Sequence, residues 1–186
     1  MDYQGWGNVM RTLYMRKRRL VLTSILATTC LLQSVELPLA TTTTTTFTVS
    51  ITLTATCTIT SASALNFGSA GILSTAIPQT STINVICSSG TGYNIGLDAG
   101  TGTGATVAAR KMTNGGNTVT YSLYRDAAHT QVWGNTVSTD TVSGSGDGLA
   151  AGQTYQVFGL VPAQTTPPAS AGGTLYSDTI TVTVTY

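Results

Sequence analysis

Residues 47–59 read FTVSITLTATCTI, in which apolar residues alternate with Ser or Thr without a break. Such period-two alternation predicts a β-strand with one buried face. At about 3.3 Å per residue the run would be roughly 43 Å long, whereas most strands have about five or six residues. We therefore expect the part near Cys57 to belong to the folded domain, and residues 47–54 to have no place in their own fold.

Strand-like segments continue through the rest of the chain, separated by Gly-rich or Pro-rich turns. They are residues 80–87, 92–97, 105–112, 117–124, 130–133, 154–161 and 179–186, and the predicted turns include residues 143–148. Many short strands between such turns are typical of a β-sandwich. No segment has a sustained helical period, so the predicted fold class is all-β.

The alternation at the C-terminal end indicates an incomplete immunoglobulin-like sandwich. Its apolar positions have no later segment to pair with: Ile180, Val182, Val184 and Tyr186. A missing strand leaves a groove with unpaired backbone groups, and such an edge accepts a strand from another chain. We expect the groove of a neighbouring subunit to take up the apolar side chains of the N-terminal run, which are Phe47, Val49, Ile51 and Leu53.

The composition is that of a folded, extracellular domain. Charged residues make up only 8% of the chain and apolar residues 41%, whereas disordered chains combine low hydrophobicity with high charge. From residue 41 onward there are three basic residues and five Asp, a formal charge of −2. Nucleic acid is therefore not an expected partner, because its binding requires a basic surface.

The first 40 residues have the order of a secretory signal peptide. The basic segment MRKRR at 15–19 precedes a mainly apolar stretch at 20–32, and the small residue Ala40 marks the expected cleavage site. The stretch is too short to favour a membrane anchor. We predict a leader and signal peptide in residues 1–40, a Thr-rich spacer and donor strand in 41–54, and one domain in 55–186, secreted through the periplasm to the cell surface.

Two cysteines, Cys57 and Cys87, remain after removal of the leader. An even number of cysteines in an exported chain indicates a disulfide. Two free buried thiols are less favoured in an oxidising compartment, and a metal site less still, because His129 is the single histidine of the chain.

No catalytic or cofactor-binding arrangement is evident in the sequence. The glycine-rich run at 100–104 lacks the Lys-Ser/Thr ending of a phosphate-binding loop. His129 has no recognisable nucleophile or orienting acid around it, and the Asp residues form no dense calcium-binding loop. We therefore expect no enzyme activity, no cofactor and no metal; a secreted hydrolase on a sandwich scaffold is the alternative, and it would need a cluster of acid–base or metal-binding residues.

Several short stretches together resemble the spore coat protein U domain family, which contains the pilins of archaic chaperone–usher pili. They are the alternating run before Cys57, LNFG at 65–68, INVIC at 83–87, YRDAAHT at 124–130, VFG at 157–159 and YSDT at 176–179 leading to VTV at 182–184. The resemblance extends over nearly the whole body of the chain, from about residue 47 to residue 186.

This resemblance implies an incomplete immunoglobulin-like sandwich, a Cys57–Cys87 bridge and a donor strand ahead of Cys57. It also implies a periplasmic chaperone on the C-terminal strand, an outer-membrane usher and identical or related subunits as partners. The implied function is a structural subunit of a pilus or fibre for adhesion and biofilm formation. A spore or cyst coat protein and a carbohydrate-binding adhesin at a fibre tip remain alternatives.

Overall fold

The computed structural model describes residues 40–186, so the predicted signal peptide lies almost entirely outside the described residues. The chain divides into two units, residues 1–48 and 49–186. The described part of the first unit, 40–48, has no regular secondary structure. Between residues 40 and 186 there is no helix, and hence none that is long and apolar enough to span a membrane.

Within the described range, residues 40–186, eight strands form two antiparallel sheets. The strands are β1 (Cys57–Ala62), β2 (Ile77–Cys87), β3 (Gly92–Leu97), β4 (Arg110–Asn114), β5 (Asn117–Tyr124), β6 (Val142–Ser145), β7 (Gln153–Val161) and β8 (Val182–Thr185). One sheet has the order β1-β2-β7-β5-β4 and the other the order β6-β3-β8. The predicted all-β class is confirmed.

The core lies between the two sheets, and the period-two patterns of their strands supply it. In β3 the buried side chains are Tyr93, Ile95 and Leu97, and they face inward-pointing residues of the larger sheet. The buried apolar side chains of β2, β5 and β7 are Ile83, Val85, Cys87, Val119, Tyr121, Leu123, Val157 and Val161.

Several predicted strands match the structure, and others differ from it in extent or are absent. Residues 92–97 and 117–124 are strands with the predicted bounds. The long first run is a strand only from Cys57 onward, and the strand expected at 105–112 begins at Arg110. Residues 130–133 form no strand, because the Asp126 carboxylate accepts hydrogen bonds from the Thr130 and Gln131 amides and holds a turn there.

Strand β6 lies in a segment that the sequence predicted to be a turn. Its glycine is required by packing, because a Cβ at Gly144 would collide with the Tyr155 hydroxyl and lie 2.6 Å from Cζ of Tyr93. The segment pairs with β3, with Gly144 opposite Tyr93. A glycine that permits close approach to two tyrosines therefore looks like a turn signal in the sequence.

The two ends of the sandwich are held by different groups. Residues 88–91 connect β2 to β3, so Cys87 and Gly92 lie at the same end, and the Cys57–Cys87 disulfide joins β1 to β2 there. We call this the disulfide end. Leu97, the last residue of β3, lies at the opposite end, where Arg110 is completely buried.

Arg110 donates all its hydrogen bonds in this structure to backbone oxygens. Its Nε lies 2.7 Å from the Asp98 oxygen, Nη1 lies 2.8 Å from that of Val107, and Nη2 bonds the oxygens of Leu97 and Trp133. Burial lowers the pKa of Arg110 from its ordinary value, and the neighbouring Tyr121, Asp98, Asp178 and Asp140 act in the opposite direction. A buried guanidinium with these partners ties together segments that no sheet ladder connects.

Candidate functional site

An exposed N-terminal segment is the first half of the candidate site. We call residues 47–54 the arm. Its four apolar side chains are 82–86% exposed: Phe47, Val49, Ile51 and Leu53. The arm belongs to no strand, although its alternation continues into β1, where Cys57 and Ile59 are half-buried and the intervening Thr58 is exposed. Large apolar side chains exposed in a row mark an interaction surface more often than isolated ones do.

Residues 54–56, which we call the root of the arm, are attached to the turn after β2. The Ser88 amide donates to the Thr56 oxygen over 2.9 Å, and the Thr56 amide donates to Oγ of Ser88 over 3.1 Å. The same Oγ lies 3.5 Å from the Thr54 oxygen. These contacts continue the pairing of β1 with β2 beyond the disulfide by one residue.

An apolar groove is the second half of the candidate site. It is a cavity of about 680 Å³, and its floor is formed by core side chains of both sheets. Around its rim lie half-buried apolar residues from β8 and from the chain that connects β1 to β2. The lining includes Leu65, Phe67, Ile77, Ile83, Leu97, Met112, Tyr121, Leu123, Val157, Tyr176, Ile180 and Val182.

The sheet topology shows which strands bound the groove. β1 is an edge strand of the larger sheet, and β8 is an edge strand of the smaller one. The two strands do not pair with each other, and in the part of the chain that the structure describes β8 pairs only with β3. One side of β8 therefore presents unpaired backbone groups next to exposed core, which is the geometry that accepts an added strand.

The predicted C-terminal strand residues lie on this edge, and their burial decreases toward the end of the chain. Ile180, Val182 and Val184 are half-buried, whereas Tyr186 is 61% exposed. The first two line the groove. The strand itself is shorter than predicted, since it covers Val182–Thr185 and not residues 179–186.

Two carboxylates hold the chain that leads into β8. Oδ1 of Asp98 accepts a hydrogen bond from the Thr181 amide over 2.9 Å, and Oδ2 of Asp178 accepts one from the Tyr121 hydroxyl over 2.8 Å. Burial raises the pKa of Tyr121, and the hydrogen bond to Asp178 raises it further, so the phenol stays protonated as a donor. The groove wall is thus fixed by side chains where ladder bonds are missing.

The LNFG and VFG stretches meet at the groove. Leu65 and Phe67 pack over Gly159 of β7, where a Cβ would lie 2.7 Å from Cδ1 of Leu65 and 3.0 Å from Cζ of Phe67. Phe67 also contacts Tyr121 edge to face, with ring centroids 6.0 Å apart. The local sequence pattern does not indicate that these residues belong to the site, although a glycine within a strand is a signal of close approach.

The glycine-rich loop and His129, which could suggest phosphate binding or catalysis, have structural partners. In the glycine-rich loop, the Thr101 amide and hydroxyl both donate to Oδ1 of Asp178. His129 lies in the turn organised by Asp126 and contacts Tyr124 edge to face at 5.2 Å. Among residues 40–186, no three side chains of the metal-ligating types lie together.

Comparison with known proteins places this fold in a family. The family model described as Spore Coat Protein U domain matches residues 43–183. The comparison with curated proteins returns no match.

A solved structure is also similar to this chain. It is the CsuC–CsuE chaperone–tip adhesion subunit pre-assembly complex from archaic chaperone–usher Csu pili of Acinetobacter baumannii. The identity is 24% and the TM-score 0.51, over 73% of this chain and 40% of that chain. The likeness confirms the sandwich fold. Because the family model covers most of the sequence, the resemblance is confirmed as well, and the chain belongs to the Spore Coat Protein U domain family.

Proposed function

We propose that this chain is a structural subunit of an extracellular pilus or fibre, in which the arm of one copy completes the groove of the next. The observation that carries this proposal is the presence of both halves of one contact on a single chain. The arm exposes apolar side chains that are not buried in the core of its own chain. The groove is an apolar surface that one added strand would cover.

The chemistry of the two halves is complementary. An added strand would bond to the free edge of β8, while alternate side chains of the arm enter the groove. Burial of each such side chain, Phe47, Val49, Ile51 or Leu53, contributes about 1.5–3 kcal/mol. The intervening Ser and Thr residues would face solvent, as the exposed Thr58 does in β1.

The contact is head-to-tail, which determines the shape of the assembly. The arm and the groove are different surfaces, so each copy that donates an arm leaves its own groove free for another copy. Heterologous contacts that do not close into a ring produce open filaments. This geometry therefore favours assembly into a filament, and it supports a structural role and not a catalytic one.

The proposed partners before assembly are a periplasmic chaperone and an outer-membrane usher. The similar solved structure is described as a chaperone–subunit pre-assembly complex, and an open groove would need protection from aggregation during export. We place the chaperone on the exposed edge of β8 and its approach: Ile180, Val182, Val184 and Tyr186. The usher would then exchange the chaperone for the arm of the next subunit, and the fibre would support adhesion and biofilm formation.

The test is a binding experiment with a peptide of residues 47–54 and a chain that lacks its own arm. We expect the peptide to bind with 1:1 stoichiometry and to raise the melting temperature, because it fills the groove. A peptide in which the apolar residues are shifted by one position is the control. Equal binding of both peptides, or no binding of either, would contradict the proposal.

A further inference from the structure

A chain that carries both an arm and a groove can cap itself, and self-capping would stop growth of the fibre. The path for self-capping follows from the strand directions. β1 starts at the disulfide end and runs away from it toward the groove, which is lined by Ala62, the last residue of β1, and by Val182 of β8. To enter the groove of its own chain, the arm must reverse direction between Leu53 and Cys57.

Ser88 holds the backbone at this point. Its amide and its Oγ both bond to Thr56, and its Oγ also lies within 3.5 Å of the Thr54 oxygen. A hairpin reversal would need new backbone torsions at residues 54–56, and it would break these bonds. The neighbouring Cys57–Cys87 disulfide prevents the root of the arm from moving away as a whole.

We propose that Ser88 is a positioning residue that keeps the root of the arm in line with β1, so that the arm reaches a second copy of this chain and not its own groove. This inference rests on the proposed function of the arm. Its distinctive consequence is that loss of the Ser88 hydroxyl increases self-capping, whereas a purely structural role would only lower stability.

The experiment compares the full mature chain with its Ser88→Ala variant at a dilution at which the wild type is monomeric. Chymotrypsin cleaves a free arm after Phe47 and Leu53, and mass spectrometry measures the rate at those two sites. We expect rapid cleavage in the wild type. In Ser88→Ala we expect a protected fraction about fivefold larger, which is the ratio that one net hydrogen bond produces.

The matched control is Ser89→Ala, since Ser89 is the exposed neighbour and its hydroxyl makes no hydrogen bond within residues 40–186. It should behave as the wild type, and so should Ser88→Thr, which keeps the hydroxyl. If Ser88→Ala fails to fold, it is cleaved throughout the domain and not protected in the arm. Thr56→Pro then replaces it, because this variant lacks the amide that donates to Ser88.

Arm cleavage at equal rates in the wild type and the folded variants would overturn the inference, and so would a wild-type arm that is already protected at dilution. The proposed function is tested separately by polymer formation at high concentration. A wild type that polymerises while Ser88→Ala cleaves like the wild type removes only the role of Ser88. Failure of the wild type to polymerise, with no peptide binding, removes the proposed function.

Discussion

The arm and strand β8 have the same sequence pattern and opposite environments. Both alternate apolar residues with Ser or Thr. Val182 and Val184 of β8 pair with β3 and are half-buried, whereas Val49 and Ile51 of the arm are more than four-fifths exposed. Period-two alternation thus predicts that a segment has one face to bury, but it does not state in which molecule the face is buried.

Deletion of residues 41–54 is the strongest test of this difference. We expect loss of assembly by at least about a thousandfold, since all four buried side chains of the contact are removed. The domain itself should keep its melting temperature, because the first strand begins at Cys57. Analytical ultracentrifugation measures the first effect and calorimetry the second. A large drop in melting temperature would mean that the arm stabilises its own domain.

Acidic substitutions at apolar positions of the arm and of β8 should have different effects on assembly and on stability. Ile51→Asp should weaken assembly by about a hundredfold or more, because a carboxylate would enter an apolar groove, and it should leave the monomer as stable as before. Val184→Asp should lower the free energy of unfolding of the monomer by about 2 kcal/mol. Thr52→Asp is the control, with little effect on either. Matching effects of Ile51→Asp and Val184→Asp on monomer stability would remove the distinction between the segments.

Removal of the disulfide should affect the root of the arm more than β8. For Cys57→Ser combined with Cys87→Ser we expect a loss of about 3 kcal/mol in the free energy of unfolding, from the entropy of the released loop. Denaturant titration measures this loss. The rate of amide hydrogen exchange should increase more in β1 than in β8. Unchanged stability would show that pairing of β1 with β2 suffices without the covalent bond.

Acid should loosen the approach to β8 and leave the arm unaffected, which is the smallest of these effects. Burial raises the pKa of Asp98, but hydrogen bonds from Thr181 and Gly100 and the charge of Arg110 outweigh it and lower the pKa below its usual value. The stabilisation is therefore present above the unfolded pKa of about 3.9 and disappears as the pH falls through the folded value. Asp98→Asn should flatten the dependence of melting temperature on pH below about 4. An unchanged slope would contradict this role.

The sequence was sufficient for strands that bury one face within the chain and insufficient where a distant partner decides the structure. Strands β3 and β5 have alternating or β-branched residues, and their bounds were predicted correctly. Strand β6 was missed because Gly144 reflects contact with Tyr93 and Tyr155, which are remote in sequence. Ser88, an ordinary turn residue in the sequence, gains its role only from pairing with Thr56.

The groove could be anticipated only in outline. An orphan run at one end and an open run at the other predicted its existence, but not the carboxylates of Asp98 and Asp178 that hold its wall. Nor did composition indicate that Arg110, one of few charges in the domain, is buried among backbone oxygens. Such contacts link segments far apart in the chain, and a local pattern contains no information about them.

The disulfide at one end of the sandwich and the hydrogen bonds of Arg110 at the other end differ in their sensitivity to reducing conditions. Around Cys57 and Cys87 the bond is covalent and breaks under reduction. At the other end, Arg110 joins Leu97 to Trp133 through hydrogen bonds that no reductant affects. In a reducing environment the start of β1, which follows the arm, would therefore lose its covalent link, whereas the end of the sandwich that contains Arg110 would be unchanged. In the proposed fibre, export into an oxidising space would therefore stabilise the end of each subunit from which its arm reaches the next.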